Sequence, residues 1–253
     1  MNASQRKEIE QRFDRESPSW RDIYRRSGRN PFAYRDKQYR KRYVLEMFGR
    51  GTGTALDLGC GAGEFLGDLR QAGFSAVGAD FSAEMVRLAA QAARGAHSVV
   101  RADASGTPFR RASFAGLIAV GLLEYLPEDE SALAEIRRVM KPGGRVVVTL
   151  RNERCLERRL WDLYIRRGWK QRPAIGFYRE HDPDAFERLA SRIGFTGFRR
   201  RYCHFYPLPW PVSKVLAPFN NILAHLWEHV FSRCRIPWLG STVIFSFQAP
   251  GGE

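Results

Sequence analysis

Long apolar runs are missing from this 253-residue sequence. The longest stretch without a charged side chain, Ile236–Gly252, is interrupted by Pro237, Gly240 and Pro250. A helix needs about 20 mostly apolar residues to cross a bilayer, so no spanning helix is expected. Cysteine is scarce too. Cys60, Cys155, Cys203 and Cys234 form no C-x-x-C pair and have no histidines at zinc spacing. That argues against a disulfide scaffold and a structural zinc site, and no metal is expected. The opening MNASQRKEIEQRF lacks the apolar segment of a secretory signal. The expected location is the cytoplasm, with peripheral membrane contact as the alternative.

Acidic residues are outnumbered. The 27 Asp and Glu face 41 Lys and Arg, for a net charge of +14. The excess is uneven. Residues 1–50 carry net +7, residues 51–150 net −1 and residues 151–253 net +8. A neutral middle with basic flanks can attract nucleic acid, an anionic membrane surface or an acidic substrate. Apolar residues at 44% and charged residues at 27% are ordinary for a globular chain.

The pattern divides the chain. Residues 1–50 read as helical: Ser17-Pro18 resembles a helix start, and Tyr39, Tyr43, Met47 and Phe48 recur at helical spacing before Gly49. From residue 54, short apolar runs alternate with helical patterns. Strands are expected at Thr54–Leu58, Phe74–Ala79, Val99–Ala102, Phe114–Val120 and Arg145–Leu150. Near-continuous apolar strands separated by helices indicate a parallel sheet covered on both faces. Lys141-Pro-Gly-Gly144 reads as a turn, and Phe198–Cys203 with Thr242–Phe247 as a terminal hairpin at the sheet edge. The stretches 151–181 and 204–240 break the alternation and read as insertions. In the second, apolar residues recur at helical spacing from Val212 to Phe231, and Pro218 should split the helix. They suit a lid over an apolar site, a dimer surface or an interfacial helix, in that order of fit.

The chemistry centres on Ala55-Leu-Asp-Leu-Gly-Cys-Gly-Ala-Gly-Glu64, a glycine-rich turn between a strand and a helix. In open α/β sheets, ligands bind beyond the carboxyl ends of the strands. Asp57 and Glu64 bracket this loop. They would oppose a dinucleotide pyrophosphate, because like charges ~4 Å apart cost roughly 4 kcal/mol at an effective dielectric of 20. The glycine spacing also departs from G-x-G-x-x-G, so a nicotinamide-dependent oxidoreductase is disfavoured. The same acids suit a cationic ligand without phosphate, such as S-adenosylmethionine.

Ala55–Glu64 resembles motif I of the class I S-adenosylmethionine-dependent methyltransferases. Asp80, Phe81, Met85 and Asp103, Ile118–Leu126 and Glu135–Arg145 are similar to the later signals of that family, in order. The Gln11–Tyr24 segment is weakly similar to quinone and tetrapyrrole methyltransferases of its small-molecule branch. The resemblance implies a Rossmann-like α/β fold: a seven-stranded, mostly parallel sheet, helices on both faces, and a helical cap from the N-terminal and late insertions. It implies residues 1–50 as a helical segment on a methyltransferase domain of residues 51–253. It also implies S-adenosylmethionine as cofactor, held by Asp57, Gly59, Cys60, Gly61, Asp80, Phe81, Met85, Asp103, Ala104 and Gly121. In that picture Asp80 takes the ribose and Asp103 the adenine amino group.

Proton removal from the acceptor calls for a base, and histidine titrates in the useful range. His181 and His204 follow the fifth and sixth strands, with Tyr178 beside His181, and these three are the candidate catalytic residues. Glu124 and Tyr125 either face the acceptor or belong to a surface turn. The expected acceptor is a small, apolar or lipid-like molecule, and the chain a monomer or homodimer. An RNA methyltransferase using the basic flanks, or a non-catalytic binder of the cofactor, are the alternatives. The amino-methylating N/D-P-P-Y/F motif is replaced by Gly121-Leu-Leu-Glu-Tyr125, so nucleic acid is not favoured.

Overall fold

The computed structural model describes residues 11, 14, 31–93, 95, 98–168, 179–205, 208, 212–232 and 236–251. The expected helix start at Ser17-Pro18 lies outside the described residues. Helix α1 (Pro31–Phe48) precedes strand β1 (Thr54–Leu58), the short helix α2 (Leu66–Gln71), β2 (Ser75–Asp80), α3 (Ala83–Ala93), β3 (Ser98–Arg101) and β4 (Phe114–Ala119). Then come α4 (Glu130–Val139), β5 (Met140–Arg151), α5 (Leu156–Arg166), α6 (Pro183–Ile193), β6 (Thr196–Phe205), α7 (Val212–Val215), α8 (Ala217–Phe231) and β7 (Gly240–Gln248).

The strands form one seven-stranded sheet in the order β3-β2-β1-β4-β5-β7-β6. The pairs from β3 through β5 are parallel, and β7 runs antiparallel to both β5 and β6. Strand order reverses between β1 and β4, which opens a crevice at their carboxyl ends.

Alternation along the strands sends side chains to two cores. Leu56, Leu58, Leu117 and Val146 join α4 and α6 on one face through Ile136 and Phe186. Ala55, Ile118 and Val147 meet α1 and α2 on the other through Tyr43, Phe48 and Leu69. Helix α1 is therefore part of the cover of one face. Phe48 lies directly over Gly116 of β4, where an added Cβ would stand 2.4 Å from the ring's Cζ. Gly116→Ala is expected to destabilise the fold by about 1–3 kcal/mol through overpacking, read as a lower denaturant midpoint at unchanged slope.

Two expectations change in detail. Lys141–Gly144 is not a separate turn: β5 begins at Met140, and the register jumps from Phe114↔Met140 to Gly116↔Arg145, so these residues bulge out within the strand. The last two strands are neighbours, but their connection carries α7 and α8, and β7 lies inside the sheet while β6 takes the edge. Composition explains the order. β7 is uncharged and buried along almost its whole length, while β6 carries Arg199, Arg200 and Arg201. The helix break is where proline demands it: α7 stops at Val215, and α8 restarts with a proline in its first turn. No helix among the described residues is long and apolar enough to cross a membrane.

Candidate active site

The turn Gly59–Gly63 follows β1 at the crevice. Gly59, Gly61 and Gly63 have φ values of +76°, +52° and +85°, the left-handed region that only glycine enters without strain. The backbone N–H groups of Gly59 and Cys60 both donate to the Ala79 carbonyl, at 2.7 and 3.0 Å. Asp80 closes the arrangement from the end of β2. Its Oδ2 accepts from Gly61 N at 2.8 Å and its Oδ1 from Ser82 N at 2.9 Å. Ser82 in turn caps α3, its Oγ accepting from Met85 N at 3.1 Å. The strand-end acid thus braces the glycine loop and the next helix together.

One cavity opens over this loop. Its wall contains all ten residues singled out above as a cofactor set, from Asp57 to Gly121. Arg40, Glu64, Phe65, Glu124 and Tyr125 complete its polar and aromatic lining. Asp57 is 1% exposed, and its Oδ2 has no hydrogen-bond partner among the described residues. Burial first, then Asp80 and Glu64, push its carboxyl well above the usual range. Asp80 is raised by burial as well, with the bonds from Ser82 and Gly61 opposing. Lys41 answers part of the negative charge, pairing with Asp68 at 2.7 Å and donating to the Glu64 carbonyl. On the far wall, Asp103 Oδ1 accepts from Ser105 N at 2.9 Å, and Met85 and Ala104 are buried beside it. Cys60 is buried and its thiol pushed well up, the environment of an inert cysteine.

The other end of the cavity is built on the turn after β4. Gly121, at φ +70°, donates its N–H to Thr149 Oγ1 at 2.8 Å. Glu124 follows on a short 3-10 turn, 8% exposed, with Oε2 unpartnered among the described residues. Burial raises its carboxyl, while the positive charges of Arg40 and Arg151, and His181, pull the other way. Arg179 fastens this turn: its N–H donates to the Glu124 carbonyl, its Nε to the Leu126 carbonyl, and its Nη2 to Asp129 at 2.6 Å.

The histidines named from sequence do not reach the cavity wall. His181 lies behind the turn, its Nε2 3.1 Å from Asp129 Oδ1 and its ring edge-on to Phe186. His204 is buried between the sheet and α1, its Nδ1 3.1 Å from Thr242 Oγ1 and its Nε2 2.7 Å from the Asp36 carbonyl. Its N–H donates to Glu228 of α8, whose carboxyl burial pushes up to about 7. Burial also lowers the His204 imidazole. Both rings are tied into supporting contacts, which is the physical reason they do not face the acceptor side. Tyr178 lies outside the described residues.

Residues 56–148 match the family model described as a methyltransferase domain. The chain is 32% identical over 140 residues to a demethylmenaquinone methyltransferase of Lactiplantibacillus plantarum, covering 51% of this chain and 59% of that protein. It is 26% identical over 196 residues to the demethylmenaquinone methyltransferase of Staphylococcus saprophyticus, covering 65% and 79%. The chain thus carries a methyltransferase domain over residues 56–148 and has the fold of the S-adenosylmethionine-dependent methyltransferases. In fold it is similar to an S-adenosylmethionine-dependent methyltransferase of Thermotoga maritima, with a TM-score of 0.63, 18% identity, and 96% and 98% of the two chains covered.

The cavity fits S-adenosylmethionine. An ammonium or sulfonium would find at Asp57 Oδ2 a buried carboxylate oxygen with no hydrogen-bond partner among the described residues. Three acids at one end of the cavity would repel a pyrophosphate. Arg40 is a wall residue that the sequence did not point to, whereas Glu124 and Tyr125, left between the acceptor side and a surface turn, line the cavity. Arg40 comes from α1, and nothing in its helical spacing marked it.

Proposed function

We propose that this methyltransferase alkylates a small, apolar, lipid-like acceptor of the quinol type. One observation carries the reading: ten residues from five separate segments surround a single cavity, whose buried Asp57 oxygen awaits a cation. The apolar acceptor is supported by Val120, Leu122 and Leu126 around Glu124, and by the names of the two quinone-pathway relatives. In this reading Asp57, Gly59, Cys60 and Gly61 hold the methionine portion. Asp80 takes the ribose hydroxyls, Phe81 and Met85 flank the adenine, and Asp103 accepts from its amino group with Ala104 beside it. Gly121 keeps the floor free of a side chain. Residues 51–253 act as the methyltransferase domain, with Pro31–Phe48 as a helical cover.

Bound S-adenosylmethionine supplies a methyl carbon made electrophilic by its sulfonium. The protein's part is positioning, exclusion of water and proton removal. Glu124 takes the acceptor's proton at Oε2, replacing the histidines in that role. Arg179, Asp129 and His181 position the turn that carries it.

Calorimetric titration with S-adenosylmethionine, its demethylated product and NADH tests the cofactor reading. Micromolar binding of the first two and none of the third is expected. Incubation with reduced demethylmenaquinone, read by mass spectrometry for one added methyl, tests the acceptor. No methylated product from an S-adenosylmethionine-binding protein would rule that acceptor out. RNA binding that falls steeply with salt, together with methylated RNA, would favour the nucleic-acid reading.

Cofactor affinity should depend on pH through Asp57. Its folded carboxyl is raised by burial and by the neighbouring acids, and a cation prefers the ionised form. Affinity therefore rises as pH climbs through that raised value and levels off above it. Asp57→Asn is expected to bind about tenfold more weakly at neutral pH and to lose the slope. A wild-type slope in the variant would remove Asp57 from this role.

A further inference from the structure

Among the described residues, helices α7 and α8 expose one apolar face. Val212, Val215, Leu216, Phe219, Ile222, Leu226 and Val230 are spaced by threes and fours and are all exposed, Val215 to 78% and Ile222 to 61%. The opposite side of α8 is fixed: Ala224 is buried, and the carboxylate of buried Glu228 accepts from His204 N at 3.0 Å. The apolar stripe is therefore the outward side of a helix that the sheet holds in place.

Its position in the fold is specific. β6 and β5 both run antiparallel to β7, so they point the same way, and the ends from which α7 and α5 depart lie on the carboxyl edge of the sheet. The glycine loop and the cavity sit at that edge. Trp238, 52% exposed, precedes β7 there, and its carbonyl accepts from Leu156 N at the start of α5. Leu156 and Leu163 of α5 are also exposed, with exposed Arg159 and Arg166 at helical spacing around Leu163.

Charge decides between occupants. Val212–Phe231 holds one acid, the buried Glu228, and one base, Lys214, so the stripe itself is close to neutral. Residues 151–253 carry net +8. The chain as a whole carries net +14, and α5 exposes Arg159 and Arg166, so a second copy would be repelled where anionic headgroups are attracted. A short amphipathic helix with an aliphatic and aromatic face and basic neighbours is the form that lies in a membrane interface. We propose that the α7–α8 stripe, with Trp238 and the start of α5, docks this protein on an anionic bilayer surface, seated in the headgroup layer and not spanning it. The inference stands on the surface alone and holds whichever acceptor the cavity takes.

Co-sedimentation of the full chain with vesicles tests it. Vesicles containing phosphatidylglycerol and phosphatidylcholine are expected to bind at least tenfold more protein than phosphatidylcholine alone. The double variant Phe219→Glu/Ile222→Glu alters two exposed side chains, so folding and S-adenosylmethionine affinity should stay at wild-type values. Its vesicle binding should fall at least tenfold. No binding by the wild-type protein would overturn the proposal. So would binding that the double variant retains, since basic charge alone would then account for it. A wild-type dimer in light scattering that the variant splits, without vesicle binding, would assign the stripe to a second copy instead.

Discussion

Asp80→Ala is expected to weaken S-adenosylmethionine binding by about 100-fold. The carboxylate has two jobs in the structure. Its oxygens hold Gly61 N at 2.8 Å and Ser82 N at 2.9 Å, fixing the glycine loop and the first turn of α3. Each oxygen keeps a second lone pair, which is what a pair of ribose hydroxyls needs. A hydrogen bond to a charged group contributes roughly 1.5–3 kcal/mol, which is about 10- to 150-fold in affinity, before any loosening of the loop. Asp80→Asn keeps one acceptor oxygen and should fall between the two. The orphaned N–H groups lie at the cavity, where water can replace the lost partner, so the fold should lose only about 1 kcal/mol. Calorimetry on the two variants beside a thermal melt separates the effects. Wild-type affinity in Asp80→Ala would refute the ribose assignment, and a collapsed melt in Asp80→Asn would mean that the loop brace is its main role.

The half of the cavity proposed to hold the cofactor was legible because its parts are local. A strand, a glycine turn and a helix are contiguous in sequence, and strand-end acids at 80 and 103 reach the same crevice by the geometry of a parallel sheet. Asp57, Gly61, Asp80 and Asp103 could therefore be placed without knowing any long-range contact. The other half comes from distant segments. Arg40 reaches the cavity from α1, Glu124 from the turn after β4, and Arg151 acts on Glu124 from the end of β5. Which of these side chains meet depends on tertiary packing that no spacing rule encodes. Histidine was singled out by residue type, and packing used both rings elsewhere: His181 against Asp129 and Phe186, His204 against Thr242 and α1. The order of the last two strands was half legible. Arg199–Arg201 mark β6 as the edge, but the antiparallel insertion of β7 follows from the long excursion through α7 and α8.

Glu124→Gln should lower turnover by at least 100-fold while leaving S-adenosylmethionine affinity within about threefold of wild type. General base catalysis contributes typically 10²–10⁴-fold, and the amide keeps the shape of the side chain without its basicity. The carboxyl suits the task because its environment is balanced. Burial raises it and so improves it as a base, and the Arg40 and Arg151 charges keep the ionised form accessible. The proton leaves the acceptor for Oε2, the oxygen that no described residue engages. The sign of the pH effect follows. Below the raised carboxyl value Glu124 is protonated and cannot accept, so wild-type kcat should rise with pH through that value and then level off. Glu124→Gln should show a low, flat profile over the same range. His181→Ala provides the contrast, because that ring positions the turn through Asp129 and does not line the cavity. It should cost less than Glu124→Gln and preserve the shape of the acid limb. If instead the acid limb disappears in His181→Ala and survives in Glu124→Gln, the proton passes to the histidine, and the turn must rearrange when the acceptor binds.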